Sequence, residues 1–318
     1  MASSASTPSA VPAPSPWPRR LIVAAGLVLL PLFAFGGSVT TLGAGMAVTG
    51  WWNAEGSFMP FFPIDKWFRD LGTFVEHSHR QFGLVLGLLM IAAVVATWLR
   101  DPRPSARWLV AGALAAIGLQ GWIGGSRVLE NSPGLAFLHG TFSQFVIAVM
   151  AAAWVHQSAA WRASASLPFT QSARLRRLAI LTTVIVFVQI GLGAWYRHAL
   201  RTGLEGNLHM RIGIHMLGAI AVLGHVLPLA KRLRAAATEA PASPFASLAK
   251  GLTLLVVAQL VLGLVAWMIA RPEDVDFFQW LVATAHVLGG ALLLAWCVAA
   301  AMWASRTVPS NVVVAGVR

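Results

Sequence analysis

Cysteine, tyrosine and charge are all scarce in this chain. Cys297, inside an apolar run, is the only cysteine, which excludes an intrachain disulfide and leaves no cysteine set for a zinc or iron–sulfur site. Charged residues make up 11% of the 318, where a soluble protein carries about 25%. In their place, 57% of residues are hydrophobic and the mean hydropathy is +0.71. The apolar residues fall into runs of about 20, which is bilayer length, and an ordinary soluble enzyme is excluded. The net charge of +12 is then no argument for nucleic-acid binding, because Lys and Arg of a membrane protein gather in cytoplasmic loops. Nine histidines against eleven carboxylates is the unusual feature that is left.

Hydropathy predicts eight spans, roughly 21–41, 75–98, 108–126, 136–160, 177–195, 211–230, 251–270 and 279–303. Residues 1–18, rich in Ser, Ala and Pro and without charge, read as a disordered cytoplasmic leader. The first apolar run is long enough to span, which argues against a cleaved signal peptide. With both termini inside, 15 of the 23 Lys and Arg lie on the inner side, which holds only Asp101 and Glu239 of the eleven acids. The positive-inside rule therefore predicts a multi-pass cell-membrane protein with both termini cytoplasmic.

Spans 3, 5 and 7 share a Gln and a Gly four apart near their outer ends: Gln120 and Gly124, Gln189 and Gly193, Gln259 and Gly263. Residues at this spacing share a helix face and permit close helix contact. Spans 2, 4, 6 and 8 each carry a His near their start, followed by Gly: His79 and Gly83, His139 and Gly140, His215 and Gly218, His286 and Gly289. The repeat predicts an all-α membrane protein of two tandem four-helix bundles, 19–160 and 177–304. A basic linker, 161–176, joins them and a cytoplasmic tail, 305–318, follows.

The four histidines sit at a common depth, roughly 6–12 Å below the outer helix ends. One intramembrane His is as readily a packing residue or proton relay as a ligand. Two per bundle at one depth suit axial ligation of haem iron, with a flat porphyrin slotted between apolar helices and glycines leaving it room. Zinc favours clustered ligands, often with a carboxylate. Of the other histidines, His77 lies about 200° around the helix from His79, toward the surface or a neighbouring helix. His156 and His225 read as packing or interfacial residues. His198 and His209 are placed in an outer loop, 196–210, with Arg197, Arg201 and Arg211, either solvated or binding haem propionates.

Glu76 stands three residues before His79 on the same helix face. It reads either as a helix N-terminal carboxylate or Arg80 partner, or as a carboxylate beside a haem, able to move protons. The outer loop 36–74 carries Trp51, Trp52 and a Phe/Pro-rich stretch to Trp67. It reads as an interfacial aromatic belt or as the roof of a cofactor pocket.

These residues resemble the haem A synthase family. Gly36-Gly-Ser-Val-Thr-Thr-Leu-Gly-Ala-Gly-Met46 with Thr49-Gly-Trp51 looks like its first outer-loop signature. Glu76-His-Ser-His79-Arg80 is similar to its Glu-x-x-His-Arg motif, and Gln189 to Gly203, with Trp195 and Arg197, to a second-half segment. The resemblance covers about residues 25–300. It implies oxidation of a ring methyl group of haem O to the formyl of haem A, in successive steps with water as oxygen source. It further implies substrate haem O on His79 and His139, catalysis by Glu76, and a haem b on His215 and His286 as electron relay, near the outer face. Arg80 and Arg197 become candidate propionate contacts. Implied partners are a haem O synthase (farnesyltransferase), terminal oxidase assembly, the lipid bilayer and an unidentified electron acceptor, with a homo-oligomer left open. The rival readings are a di-haem cytochrome b-like electron-transfer protein and a haem carrier or assembly factor. Two departures stand out: Met216 follows His215 where many relatives have Arg, and the outer loops lack the cysteine pairs of some relatives.

Overall fold

The computed structural model describes residues 15–164, 166–202, 207–271 and 273–309. Most of the predicted leader, 1–18, and most of the tail, 305–318, lie outside them. Among the described residues there are eight long helices: α1 (Trp17–Thr41), α2 (Leu71–Arg100), α3 (Pro104–Leu129), α4 (Pro133–Gln157), α5 (Ser172–Thr202), α6 (Leu208–Glu239), α7 (Phe245–Met268) and α8 (Phe277–Ser305). All eight are long and apolar enough to cross a bilayer, so the chain is an all-α, multi-pass membrane protein. Their starts are written locally. Pro104 and Pro133 stand in the first turns of α3 and α4, where a missing N–H costs nothing. Asp70, Ser132 and Asp276 accept from the main-chain N–H three residues on, at 2.8, 3.2 and 2.7 Å, and so cap α2, α4 and α8.

Most helices outrun the predicted spans at one end or both, because hydropathy marks only the stretch in hydrocarbon while a helix continues through the headgroup layer. This corrects three sequence expectations. Gly36 to Thr41, counted both in the first span and in the loop 36–74, is the end of α1. His198 and His209, expected in the loop 196–210, lie on α5 and in the first turn of α6. Arg174 and Arg176, expected in the linker 161–176, stand in the first turns of α5.

In the first group of four, α1 packs on α2, α2 on α3, α3 on α4 and α4 back on α1; α5 to α8 close in the same way. Each group has its own core. Ile22, Leu86, Met90, Val110 and Met150 fill one, and Leu229, Phe245, Leu252, Leu294 and Cys297 the other. The two bundles meet along α1, α4, α5 and α8, an arrangement consistent with a tandem repeat.

At the end of the molecule richer in Lys and Arg, Leu167–Pro168 pairs in parallel with Thr307–Val308. Beside it the buried Asp101 binds Arg103 at 2.8 Å and Arg162 at 3.2 Å. Burial alone would push the Asp101 carboxyl up, but the hydrogen bonds from Arg103 and the charges of Arg103 and Arg162 outweigh it and hold the group at about 2. At the opposite end, residues 42–70 form a roof: a hairpin of Asn53–Ala54 with Ser57–Phe58, then helical turns at Met59–Phe61 and Ile64–Trp67. Arg69 grips Glu55 there at 2.7 Å, and that hydrogen bond holds the Glu55 carboxyl below its ordinary value.

Candidate functional site: two facing histidine pairs

The histidines near the starts of α2, α4, α6 and α8 meet in twos, one pair per bundle. His79 faces His139 with ring centroids 6.2 Å apart and planes at 84°. His215 faces His286 at 6.4 Å and 89°. Two imidazoles bound to one iron from opposite sides need nearly this spacing: two metal–nitrogen bonds of about 2 Å and two ring radii of about 1 Å. Among the described residues no three His, Cys, Asp or Glu side chains gather as a metal site would require. Paired imidazoles without a third donor do not make a zinc site. They fit the two axial positions of a haem, whose macrocycle supplies the other four nitrogens.

The seats beneath the four rings follow one plan. Each imidazole rests on a glycine of the preceding helix: His79 on Gly36, His139 on Gly124, His215 on Gly193 and His286 on Gly263. A Cβ on these glycines would stand 2.8, 2.6, 2.8 and 2.8 Å from the ring Cε1, well inside van der Waals contact, so a side chain there would push the imidazole aside. Four residues before three of the glycines comes the Gln of the sequence repeat. Gln120 Nε2 lies 3.0 Å from His139 Nδ1 and donates to the His139 carbonyl at 3.0 Å. Gln189 treats His215 alike, at 3.0 and 2.7 Å. Gln259 occupies the fourth seat with its amide against Gly289 and Gly290. Under His79 the equivalent residue is Leu32, whose carbonyl accepts from Nδ1 at 3.0 Å. That bond leaves the lone pair on Nε2, the tautomer a metal ligand needs. The sequence reading takes the Gln/Gly repeat as a helix contact only; its role as a ligand seat appears once the helices are packed.

Glu76 is 1% exposed and its carboxylate is engaged on both oxygens. Oε2 accepts from the Val48 N–H at 2.9 Å, and Oε1 from Arg80 at 2.8 Å, with Arg127 at 3.7 Å. Arg80 also donates to the carbonyls of Val48 and Gly50, and Arg127 to that of Gly45. One carboxylate and two guanidinium groups thus pin residues 45–50 across the end of the first bundle. Trp51 lies over Gly125, beside the seat of His139. Trp51 packs inward, while Trp52, Phe58 and Phe61 stay exposed. In the second bundle Ile212 and Met216 stand at the places, relative to His215, that Glu76 and Arg80 hold relative to His79.

Arg80 and Arg197, expected at haem propionates, bond main-chain carbonyls here. Arg197 reaches from α5 to the Gly37 carbonyl and Thr41 Oγ1 on α1, and Trp280 Nε1 donates to Ser38 Oγ at 2.8 Å, so both contacts join the two bundles. The remaining histidines stand outside the pairs. His77 is buried between Phe62 and Trp67, with Gln81 at 2.8 Å, which removes the surface reading. His198 packs edge-on to Phe137 near Gly140. His209 is exposed. His156 contacts Ser105, and His225 the Ala221 carbonyl.

Compared with known families, the chain matches the family described as cytochrome oxidase assembly protein over residues 19–205, the first bundle together with α5. No curated protein and no solved structure matches it.

Proposed function

The chain belongs to this cytochrome oxidase assembly family, the haem A synthase family, and from that membership we propose that it oxidises a ring methyl group of haem O to the formyl group of haem A. In this reading His79 and His139 hold haem O as substrate, and His215 and His286 hold a haem b. One observation carries the assignment of halves. The two histidine pairs are alike, but among the described residues only the first has a carboxylate, Glu76, on the ligand's helix face and a pinned roof above it.

His215 and His286 would hold the haem b, which when bound would supply one-electron transfer toward an acceptor outside the chain. The remaining work belongs to the protein's own groups. Turning a methyl into a formyl with oxygen from water releases four electrons and four protons, so the substrate site needs a proton acceptor. Glu76 is the carboxylate placed to serve, three residues before His79 on the same face. Arg80 and Arg127 fix its position, and the roof at 45–51 limits water to what the reaction consumes. His79 and His139 orient the substrate, and the lipid-facing apolar helices give its farnesyl chain a lateral path. A haem O synthase upstream supplies the substrate, and terminal oxidase assembly uses the product. Both termini face the cytoplasm, with the histidine pairs near the outer face.

Coexpression with a haem O synthase and mass identification of the extracted haems tests the reading. Haem A or its hydroxylated precursor is expected. Unmodified haem O bound in normal amount sinks it and leaves a di-haem electron-transfer protein or a haem carrier. Glu76→Gln is expected to keep its bound haem and lose oxidation by about 100-fold or more; undiminished oxidation removes Glu76 from the chemistry.

A further inference from the structure

The arginines near the histidine pairs are mostly committed to the protein itself. Arg80 and Arg127 hold Glu76 and the carbonyls of the roof, and Arg197 holds α1. Arg211 differs. It is half-buried in the first turn of α6, with its guanidinium over the Trp195 ring at 4.8 Å. Its Nε is buried without a hydrogen-bond partner, and among the described residues no carboxylate pairs with it. A buried donor on a charged group is costly to leave unsatisfied, so this guanidinium points to an anion.

Its position says which anion. Arg211 stands four residues before His215 on the same face of α6, about 6 Å nearer the helix end and about 40° around the axis. Trp195 stands two residues beyond Gly193, the glycine under the His215 ring. The two helices that seat His215 thus also carry the cation, one turn above the second histidine pair. In the first bundle the corresponding place on α2 holds Val75, which is buried, and the arginine, Arg80, follows the ligand instead. In α6 that position is Met216. A haem between two imidazoles is apolar except at its propionate carboxylates, which leave the slot at the near helix end. A carboxylate there needs a partner, and a guanidinium fork matches it with two hydrogen bonds.

We propose that Arg211, held over Trp195, binds a propionate of the haem on His215 and His286. The proposal rests on the reading of the second pair as a haem seat. It also gives Arg211 an electrostatic effect, because a positive charge near the iron disfavours the ferric form and raises the reduction potential.

The test uses the full chain in detergent with His139→Ala, which leaves one bis-histidine site. The chain is loaded by exchange with excess haem b or with haem b dimethyl ester, whose propionates carry no charge. Arg211→Gln is expected to speed transfer of haem b to excess apomyoglobin about tenfold and to lower its midpoint potential, with release of the ester unchanged. Arg211→Lys is expected to keep the potential near that of the parent and to release haem b at an intermediate rate. Unchanged release of haem b from Arg211→Gln overturns the proposal. Equal acceleration of haem b and ester overturns it too, since Arg211 then acts only by holding α5 to α6. If Arg211→Gln does not fold, the parent decides: it is expected to release the ester about tenfold faster than haem b, and equal rates overturn the proposal. The reading of the second pair fails separately, as a His139→Ala chain without low-spin haem.

Discussion

An imidazole serves as a ligand only if its ring is held with one nitrogen free, and in this molecule absent side chains do much of the holding. Gly36, Gly124, Gly193 and Gly263 let four rings lie against the preceding helix. Gly124→Ala is therefore expected to displace His139 and abolish the low-spin spectrum of the first bundle, leaving that of the second intact. Gly263→Ala should do the reverse at His286. Optical and electron paramagnetic resonance spectra of the two variants check this, and a pair of unaltered spectra would contradict the seats. Three of these glycines were visible in the sequence as a repeat with Gln, but their purpose was not, because the four Gly-to-ring contacts join residues between 15 and 43 positions apart. The partnership of Glu76 with Arg80 was legible from their spacing. Its bond to the Val48 N–H, 28 residues away, was not.

Among the elements, helices were easier to read than their ends. Hydropathy locates the apolar middle of each, yet α5 and α6 continue well past the predicted spans, since hydrogen bonding of the backbone does not stop where the hydrocarbon does. The polar ends then acquire structure of their own. Asp101, just past α2, ties it to α3 and to the turn Ala159–Ala163 through Arg103 and Arg162. With its carboxyl at about 2 in the fold, against about 3.9 when free, the group contributes stability that is fully present above about pH 4. That contribution is lost as the pH falls toward 2. Asp101→Asn is accordingly expected to melt below wild type at neutral pH, with the two melting temperatures converging near pH 2. A gap of constant size across that range would show that Asp101 acts by something other than its charge.

For the whole molecule the central feature is a pair of similar bundles that differ around their histidines. Two bundles of one design each bring two histidines face to face, and Arg197 and Trp280 on one bind α1 of the other. The orientation proposed from charge is directly measurable, because Cys297 is buried and leaves a silent background for introduced cysteines. A membrane-impermeant maleimide applied to intact cells is expected to label Asp65→Cys, in the roof, and to spare Ser166→Cys, at the basic end. Labelling of Ser166→Cys in preference to Asp65→Cys would invert the topology.

Span number, expected orientation and a common depth for four histidines followed from local patterns, because hydropathy, charge and helical spacing are properties of contiguous chain. Which histidine faces which was decided only in the packed structure. So were the glycine and glutamine beneath each ring, and the turn of Arg197 toward the other bundle. These depend on how each helix is rotated against its neighbours, and that rotation is set by contacts between residues far apart in sequence. The inequality of the bundles has both origins. Ile212 and Met216 can be read directly against Glu76 and Arg80, but that Leu32 lies under His79, in a glutamine's place, is a fact of three dimensions.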